Sequence, residues 1–206
     1  MTAPHMSIEI ERKYDVEADT PLPDWSALPG VASVGAPEPR SLDARYFDDA
    51  ESSLANGGMA LRRRTGGQDA GWHIKIADFD GKHELRWPLG DGPADVVPDD
   101  VLSTAEKLAE PPFRQIARIR NERVAYALKD AAGGLVAEFV DDHVEAEASA
   151  TGATSAWREW ELELGPAAPT DPAGIEDLFI AADLLVFAVG GAVAASASKI
   201  GRALGA

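Results

Sequence analysis

Along much of the chain, hydrophobic and polar side chains alternate one for one, the pattern of strands with one buried face. The clearest runs are 7–14 (SIEIERKY), 44–48 (ARYFD), 59–64 (MALRRR), 71–77 (GWHIKIA), 82–89 (KHELRWPL), 116–129 (IARIRNERVAYALK), 134–142 (GLVAEFVDD) and 157–164 (WREWELEL). Glycine-rich links such as TGGQDAG and AAGG favour hairpins between them. Helical periodicity is confined to 98–110 and 171–187, with a weaker stretch near 23–28. Asp171-Pro172 supplies a cap and a first-turn proline for the longer helix. The stretches 17–42 and 148–156 read as loops. Many short strands and few helices predict a mainly-β α+β fold, an eight-stranded antiparallel β-barrel with helices packed outside.

Length and composition narrow the setting. With 206 residues, 45% of them hydrophobic and 26% charged, a single domain over residues 1–206 is expected. There is no cysteine, so a metal would have to sit on oxygen or imidazole ligands. The N-terminus shows no apolar run behind a basic start, which argues against a signal peptide. The longest apolar stretch, 178–195, carries Asp183 and two glycines and reads as a buried helix followed by a loop rather than a membrane span. A soluble, cytoplasmic protein is the expectation. A formal net charge of −16 opposes nucleic acid and anionic lipid as partners. It is compatible with a phosphate ligand only if the basic residues are gathered in one place.

The strand faces show such gathering. Residues two apart in a strand share a side. Glu9, Glu11 and Lys13 therefore lie together, as do Glu159, Glu161 and Glu163, Arg62 and Arg64, and His73 and Lys75. A half-solvated sheet with its charges outward accounts for any one of these strands. Together they fit it less well, because several strands carry blocks of one sign. Clustered carboxylates suit hard cations such as Mg²⁺ or Mn²⁺. Clustered guanidinium and ammonium groups suit phosphoryl oxygens. A barrel with these faces turned inward would hold both around an elongated anion and keep an acidic exterior. His5, His83 and His143 have no metal-ligand spacing and read as surface, whereas substrate contact is the lesser of two readings for His73. Trp72, Trp87 and Trp160 lie on apolar faces and read as core.

In this order along the chain the motifs resemble the CYTH, or triphosphate tunnel metalloenzyme, family. Glu9-Ile10-Glu11-Arg12-Lys13 resembles its ExExK signature, ALRRR followed by WHIK its RxR and lysine pair, and Arg123-Val124-Ala125-Tyr126 its R-x-x-aromatic strand. Glu138 to Asp142 resembles the acidic strand, WELEL the late ExE, and Ser198-Lys199 with Arg202 the closing SKxxR. The resemblance implies a tunnel holding a triphosphate lengthwise and hydrolysing it with Mg²⁺ or Mn²⁺. Glu9, Glu11, Glu161 and Glu163 would ligate metal, aided by Glu138 and Asp142, with Asp141 as the alternative should the pair slip by one residue. Lys13, Arg62, Arg64, Lys75, Arg123, Lys199 and Arg202 would grip phosphate. Arg118 and Arg120 have the opposite parity to Arg123 and stay outside the site. Catalysis would rest on Glu9, Glu11 and Lys13, with Lys13 kept charged by its neighbours and steering the attacking water. Family members that pair this lysine with a following tyrosine differ from this chain, which has none between Asp15 and Arg45.

Inorganic tripolyphosphate is the leading substrate. Thiamine triphosphatase or adenylate cyclase chemistry on an organic triphosphate, and a non-catalytic polyphosphate-binding module, are the alternatives. In many relatives of this type a helical CHAD domain follows the closing element, which makes such a domain in a longer parent chain the partner that the resemblance names.

Overall fold

The alternating runs join one antiparallel sheet in the computed structural model, which describes residues 3–78, 81–196 and 198–205. The strands are β1 (His5–Glu9), β2 (Glu11–Val16), β3 (Ser33–Val34), β4 (Glu38–Asp48), β5 (Met59–Thr65), β6 (Gly71–Asp78), β7 (Gly81–Trp87), β8 (Arg114–Lys129), β9 (Leu135–Ala148), β10 (Thr154–Leu164) and β11 (Ala192–Val193). The helices are α1 (Ser53–Asn56), α2 (Asp99–Ala105), α3 (Pro172–Ala188) and α4 (Lys199–Leu204), and a 3-10 turn spans Trp25–Ala27.

The order of strands across the sheet is β1-β7-β6-β5-β4-β8-β9-β10-β2-β11, with β3 beside β8. The expected first strand is thus interrupted at Ile10, and its two halves pair at opposite ends of that order. Glu9 lies opposite Lys82 of β7, whereas Glu11 lies opposite Glu163 of β10. The Ile10 carbonyl accepts from the Leu164 amide at 2.9 Å. The sheet curls until both ends meet on this one segment. Counting β1 and β2 once, and setting aside the two-residue β3 and β11, eight long strands surround the interior.

Several bounds differ from those read in the sequence. β4 begins at Glu38, inside the stretch read as loop, because its pairing with β8 runs back to Glu38 opposite Ala125. β9 runs on to Ala148, where the alternation of Val144 and Ala146 with Glu145 and Glu147 continues. α2 stops at Ala105 and passes into single hydrogen-bonded turns before the proline pair at 111–112. The β5–β6 turn needs glycine at Gly66, whose φ is +78° and whose missing Cβ would run into the Ser41 carbonyl.

Two apolar clusters cover the outer side of the sheet. Tyr14, Phe139, Trp160 and Leu162 pack with Trp25 and with Leu178, Phe179, Ala182 and Val186 of α3. Phe47, Leu61, Trp72, Ile74 and Trp87 pack under Leu54 of α1 and Val101 and Ala105 of α2. A third cluster lies on the inner side, where Ala44, Tyr46, Ile119, Val144 and Ala146 meet Ile200 of α4. α3 starts as expected, the Asp171 side chain accepting from the Gly174 amide at 2.9 Å with Pro172 in the first turn. Among the described residues no helix is long and apolar enough to cross a membrane.

Asp183 fastens α3 to β2. It accepts from Arg12 Nη1 at 2.6 Å and from the Tyr14 hydroxyl at 3.0 Å, and the Arg12 guanidinium lies 4.6 Å above the Phe179 ring. Burial, followed by the Asp183 charge, pushes the Tyr14 phenol above its ordinary pKa. Asp183→Ala would strand both donors and is expected to cost about 2–4 kcal/mol. Urea unfolding should show this as a lower midpoint at unchanged slope; an unmoved midpoint would refute the role given to Asp183.

Candidate active site

The inward faces of β1, β2, β4, β5, β6, β7, β8 and β10 enclose a cavity of about 350 Å³. Glu9, Glu11, Lys13, Arg62, Arg64, Lys75, Arg123, Glu161, Glu163 and Lys199 all line it. The parity read from the sequence has this consequence directly for Glu9, Glu11 and Lys13, for Arg62 and Arg64, and for Glu161 and Glu163, which follow one another at two-residue spacing. Lys199 comes from α4, whose Ser198 caps the helix by accepting from the Gly201 amide. That cap turns the first residue of the helix into the cavity.

Each cation is met by carboxylate. Lys75 Nζ lies 2.5 Å from Glu9, Lys82 Nζ 2.5 Å from Glu11, and Lys13 3.5 Å from Glu11 and in direct contact with Glu161. Arg123 makes a bidentate pair with Asp142, both bonds 2.7 Å, and donates a third bond to Glu161 at 2.7 Å. Lys199 bridges Glu159, Glu161 and Asp142 at 2.5, 2.6 and 2.9 Å. Arg62 lies 3.4 Å from Glu84, and Arg64 contacts Asp69. Asp142, Glu159 and Glu161 are buried and bring oxygens within 4.8 Å of one another.

The compensation is uneven. Burial, reinforced by Lys199, pushes Lys13 down to about 7 against the pull of Glu11. The expectation that the neighbouring glutamates keep Lys13 charged is therefore corrected, because desolvation outweighs them. Burial with Arg62 and Arg123 takes Arg64 down to about 9. At the acidic side, burial with Glu9 and Glu11 raises Glu163 to about 7. The Tyr46 hydroxyl, although buried, is drawn below its ordinary value by Arg62, Lys199 and Lys75. Asp142 is held far below the carboxylate range because Lys199 and Arg123 overcome its burial.

Three residues of the expected set stand apart. Arg202 is not brought to the cavity: it binds Asp15 at 2.6 Å and lies 4.9 Å over the Trp157 ring, since the turn of α4 that aims Lys199 inward aims Arg202 elsewhere. Glu138 is held bidentate by Arg40 at 2.8 and 2.9 Å. Of the acidic pair, Asp142 shares the side of Arg123, whereas Asp141 binds Arg158 and the Trp160 indole on the other. Arg118 also faces away, 2.9 Å from Asp43.

Sequence reasoning passed over Lys82, Glu84, Glu159, Tyr46 and Arg40. Glu159 was legible in the same alternation as Glu161 and Glu163. Lys82 and Glu84 alternate correctly but carry opposite signs in one strand, so a search for blocks of like charge does not find them. His73 is fully buried, its Nδ1 2.8 Å from Glu84 and its Nε2 2.9 Å from the Asp69 carbonyl.

The CYTH domain family model matches residues 7–189. The chain belongs to the CYTH family. Uncharacterized proteins Rv2226 and MT2285 of Mycobacterium tuberculosis are each 37% identical over 98% of this CYTH chain. The chain spans 41% of the length of these relatives. Among solved structures, a Bacillus halodurans protein provisionally named an adenylate cyclase superposes with a TM-score of 0.63 at 19% identity, covering 96% of this chain and 97% of that one. HpAC1 from Hippeastrum, a provisionally named adenylyl cyclase with a dominant triphosphatase activity, superposes with a TM-score of 0.55 at 17% identity, covering 96% of each chain. At these identities the likeness establishes the CYTH tunnel fold.

Burial, with Arg62 and Arg64 adding to it, lowers the pKa of His73 from 6.5 to about 4 despite Glu84. Between those values the unfolded chain binds a proton that the native protein refuses, so stability should fall as pH drops through that window. His73→Gln removes this contribution. Urea unfolding across the window should show a slope shallower than wild type by up to about 1.4 kcal/mol per pH unit. Parallel slopes would contradict a buried, neutral His73.

Proposed function

We propose that this CYTH domain hydrolyses a triphosphate, inorganic tripolyphosphate, with Mg²⁺ or Mn²⁺ as cofactor. The observation that carries the proposal is the pair of opposite imbalances in one cavity. Burial and neighbouring cations leave Lys13, at about 7, and Arg64, at about 9, under-compensated. Burial and the neighbouring Glu9 and Glu11 do the same to Glu163, at about 7. A phosphate chain relieves the first and a divalent cation the second.

The donors fit a hard cation. Glu9 and Glu11 stand close enough to Glu163 to raise its proton affinity, and the three would hold the metal, with Glu161 beside them. Glu138 and Asp142 would join only by releasing Arg40, or Arg123 and Lys199. When bound, the ion would neutralise phosphoryl oxygens and lower the pKa of water. Arg62, Arg64, Lys75, Arg123 and Lys199 would exchange their carboxylate partners for phosphate oxygens, aligning the chain and stabilising charge as the bond breaks. Lys13, whose ammonium burial weakens and which lies between Glu11 and Glu161, would orient the attacking water from Nζ.

A second reading, an organic triphosphate, is favoured by the other wall of the cavity. Leu42, Ala44, Met59 and Ile119 line it, and Asn121 presents a buried Oδ1 with no hydrogen-bond partner among the described residues. Phosphate release from tripolyphosphate, ATP, thiamine triphosphate and pyrophosphate, with and without Mg²⁺ or Mn²⁺, separates the readings. The expected result is metal-dependent release fastest from tripolyphosphate, reduced at least about 100-fold by Glu9→Gln with Glu11→Gln. Preference for ATP or thiamine triphosphate would select the organic reading. Tight tripolyphosphate binding with no turnover of any substrate would leave a polyphosphate-binding module.

The same assay distinguishes the two cations of the closing motif. Lys199→Met should lower kcat/KM by about 100-fold, and Arg202→Met by less than about 3-fold. Equal losses would place Arg202 in the site after all.

A further inference from the structure

His73 is a buried ring in a cage of charge. Arg62 of β5 and Arg86 of β7 lie opposite it in register, Arg64 and Asp69 flank it beyond, and Glu84 and Lys75 lie on the same inner side. Both of its nitrogens face acceptors, Glu84 Oε1 at 2.8 Å and the Asp69 carbonyl at 2.9 Å. A carbonyl can only accept. An imidazole with one ring proton satisfies one of these contacts and sets a lone pair against oxygen at the other. Only imidazolium satisfies both.

What keeps the second proton away is local. Burial is the largest cause, and the Arg62 and Arg64 charges add to it. The Glu84 oxygen bonded to His73 is also shared with Arg62 Nη2 and Lys75 Nζ, each at 3.4 Å. Arg62, which would leave Glu84 for a phosphate chain, is thus one of the charges that now oppose protonation of His73. A bound polyanion adds negative charge to the same cavity, in a medium where it is weakly screened.

We propose that His73 is a positioning residue that takes up its second ring proton when a phosphate chain fills the tunnel, closing both hydrogen bonds and holding Glu84 and the β5–β6 turn in place. The inference rests on the polyphosphate reading of the tunnel. It adds a coupling between substrate and proton, which makes His73→Gln increasingly costly to binding as pH falls.

The test is ¹⁵N-histidine NMR of the whole chain at neutral pH, before and after tripolyphosphate is added without divalent metal. The chain has four histidines, which keeps the spectrum assignable. Before addition, His73 should show one protonated and one unprotonated nitrogen; after it, two protonated nitrogens. Dissociation constants measured in parallel should show the ratio of His73→Gln to wild type growing several-fold from pH 8 to pH 6. Tripolyphosphate binding that leaves the His73 nitrogens unchanged would overturn the proposal, and so would two protonated nitrogens in the free protein. An absence of binding would instead overturn the polyphosphate reading on which it stands. If His73→Gln does not fold, Glu84→Gln serves in its place, since removing that charge should leave His73 with a single proton in the complex.

Discussion

Charge cannot be buried alone. Moving one ammonium or guanidinium group out of water costs several kcal/mol, and this chain turns seven of them (Lys13, Arg62, Arg64, Lys75, Lys82, Arg123 and Lys199) into a single cavity. The sheet is tenable because carboxylates from facing strands arrive with them. β7 supplies Glu84 to Arg62 and Lys75, β9 supplies Asp142 to Arg123 and Lys199, and β1 and β2 supply Glu9 and Glu11 to Lys75 and Lys82. The tunnel is therefore a lattice of ion pairs already arranged around an axis. A phosphate chain of the kind proposed would exchange one set of oxygen partners for another, with little reorganisation of the cations themselves.

The same constraint divides the molecule into two surfaces. The sheet can turn its charged face inward only if its other face has apolar cover, and α3 on one side and α1 with α2 on the other provide it. The net charge of −16 lies largely beyond this cover. An exterior of that sign repels polyanions at a distance. A short chain whose charge is partly offset by bound cations meets the weakest repulsion, which agrees with a small metal-associated substrate better than with nucleic acid.

Much of this was legible in one dimension because a strand writes its two faces as odd and even positions. WREWELEL shows both: Trp160 and Leu162 lie in the outer core, and Glu159, Glu161 and Glu163 point inward. Legibility failed where position depends on a partner distant in sequence. β4 looked irregular from Glu38 to Leu42 because Pro39 and mixed polarity hide a strand that β8 imposes through pairing. α4 is six residues long and its role lies in a cap and one lysine, too little for periodicity to register. Arg202 was carried along with Lys199 by motif, yet it lies off the side of α4 that turns Lys199, Ile200, Gly201 and Leu204 to the cavity, and Asp15 with Trp157 claimed it.

The interruption at Ile10 also bears on how the molecule is made. Residues 5–16 leave the ribosome before either of their partners, which stand at 82–86 on one side and 158–163 on the other. During synthesis the segment has no partner strand until residue 82, one of the two from there to residue 158, and both only beyond it. The ring of strands closes on its oldest piece, a step of high contact order that places the two signature glutamates late in folding. The acidic side of the tunnel comes into being only when β10 is finished.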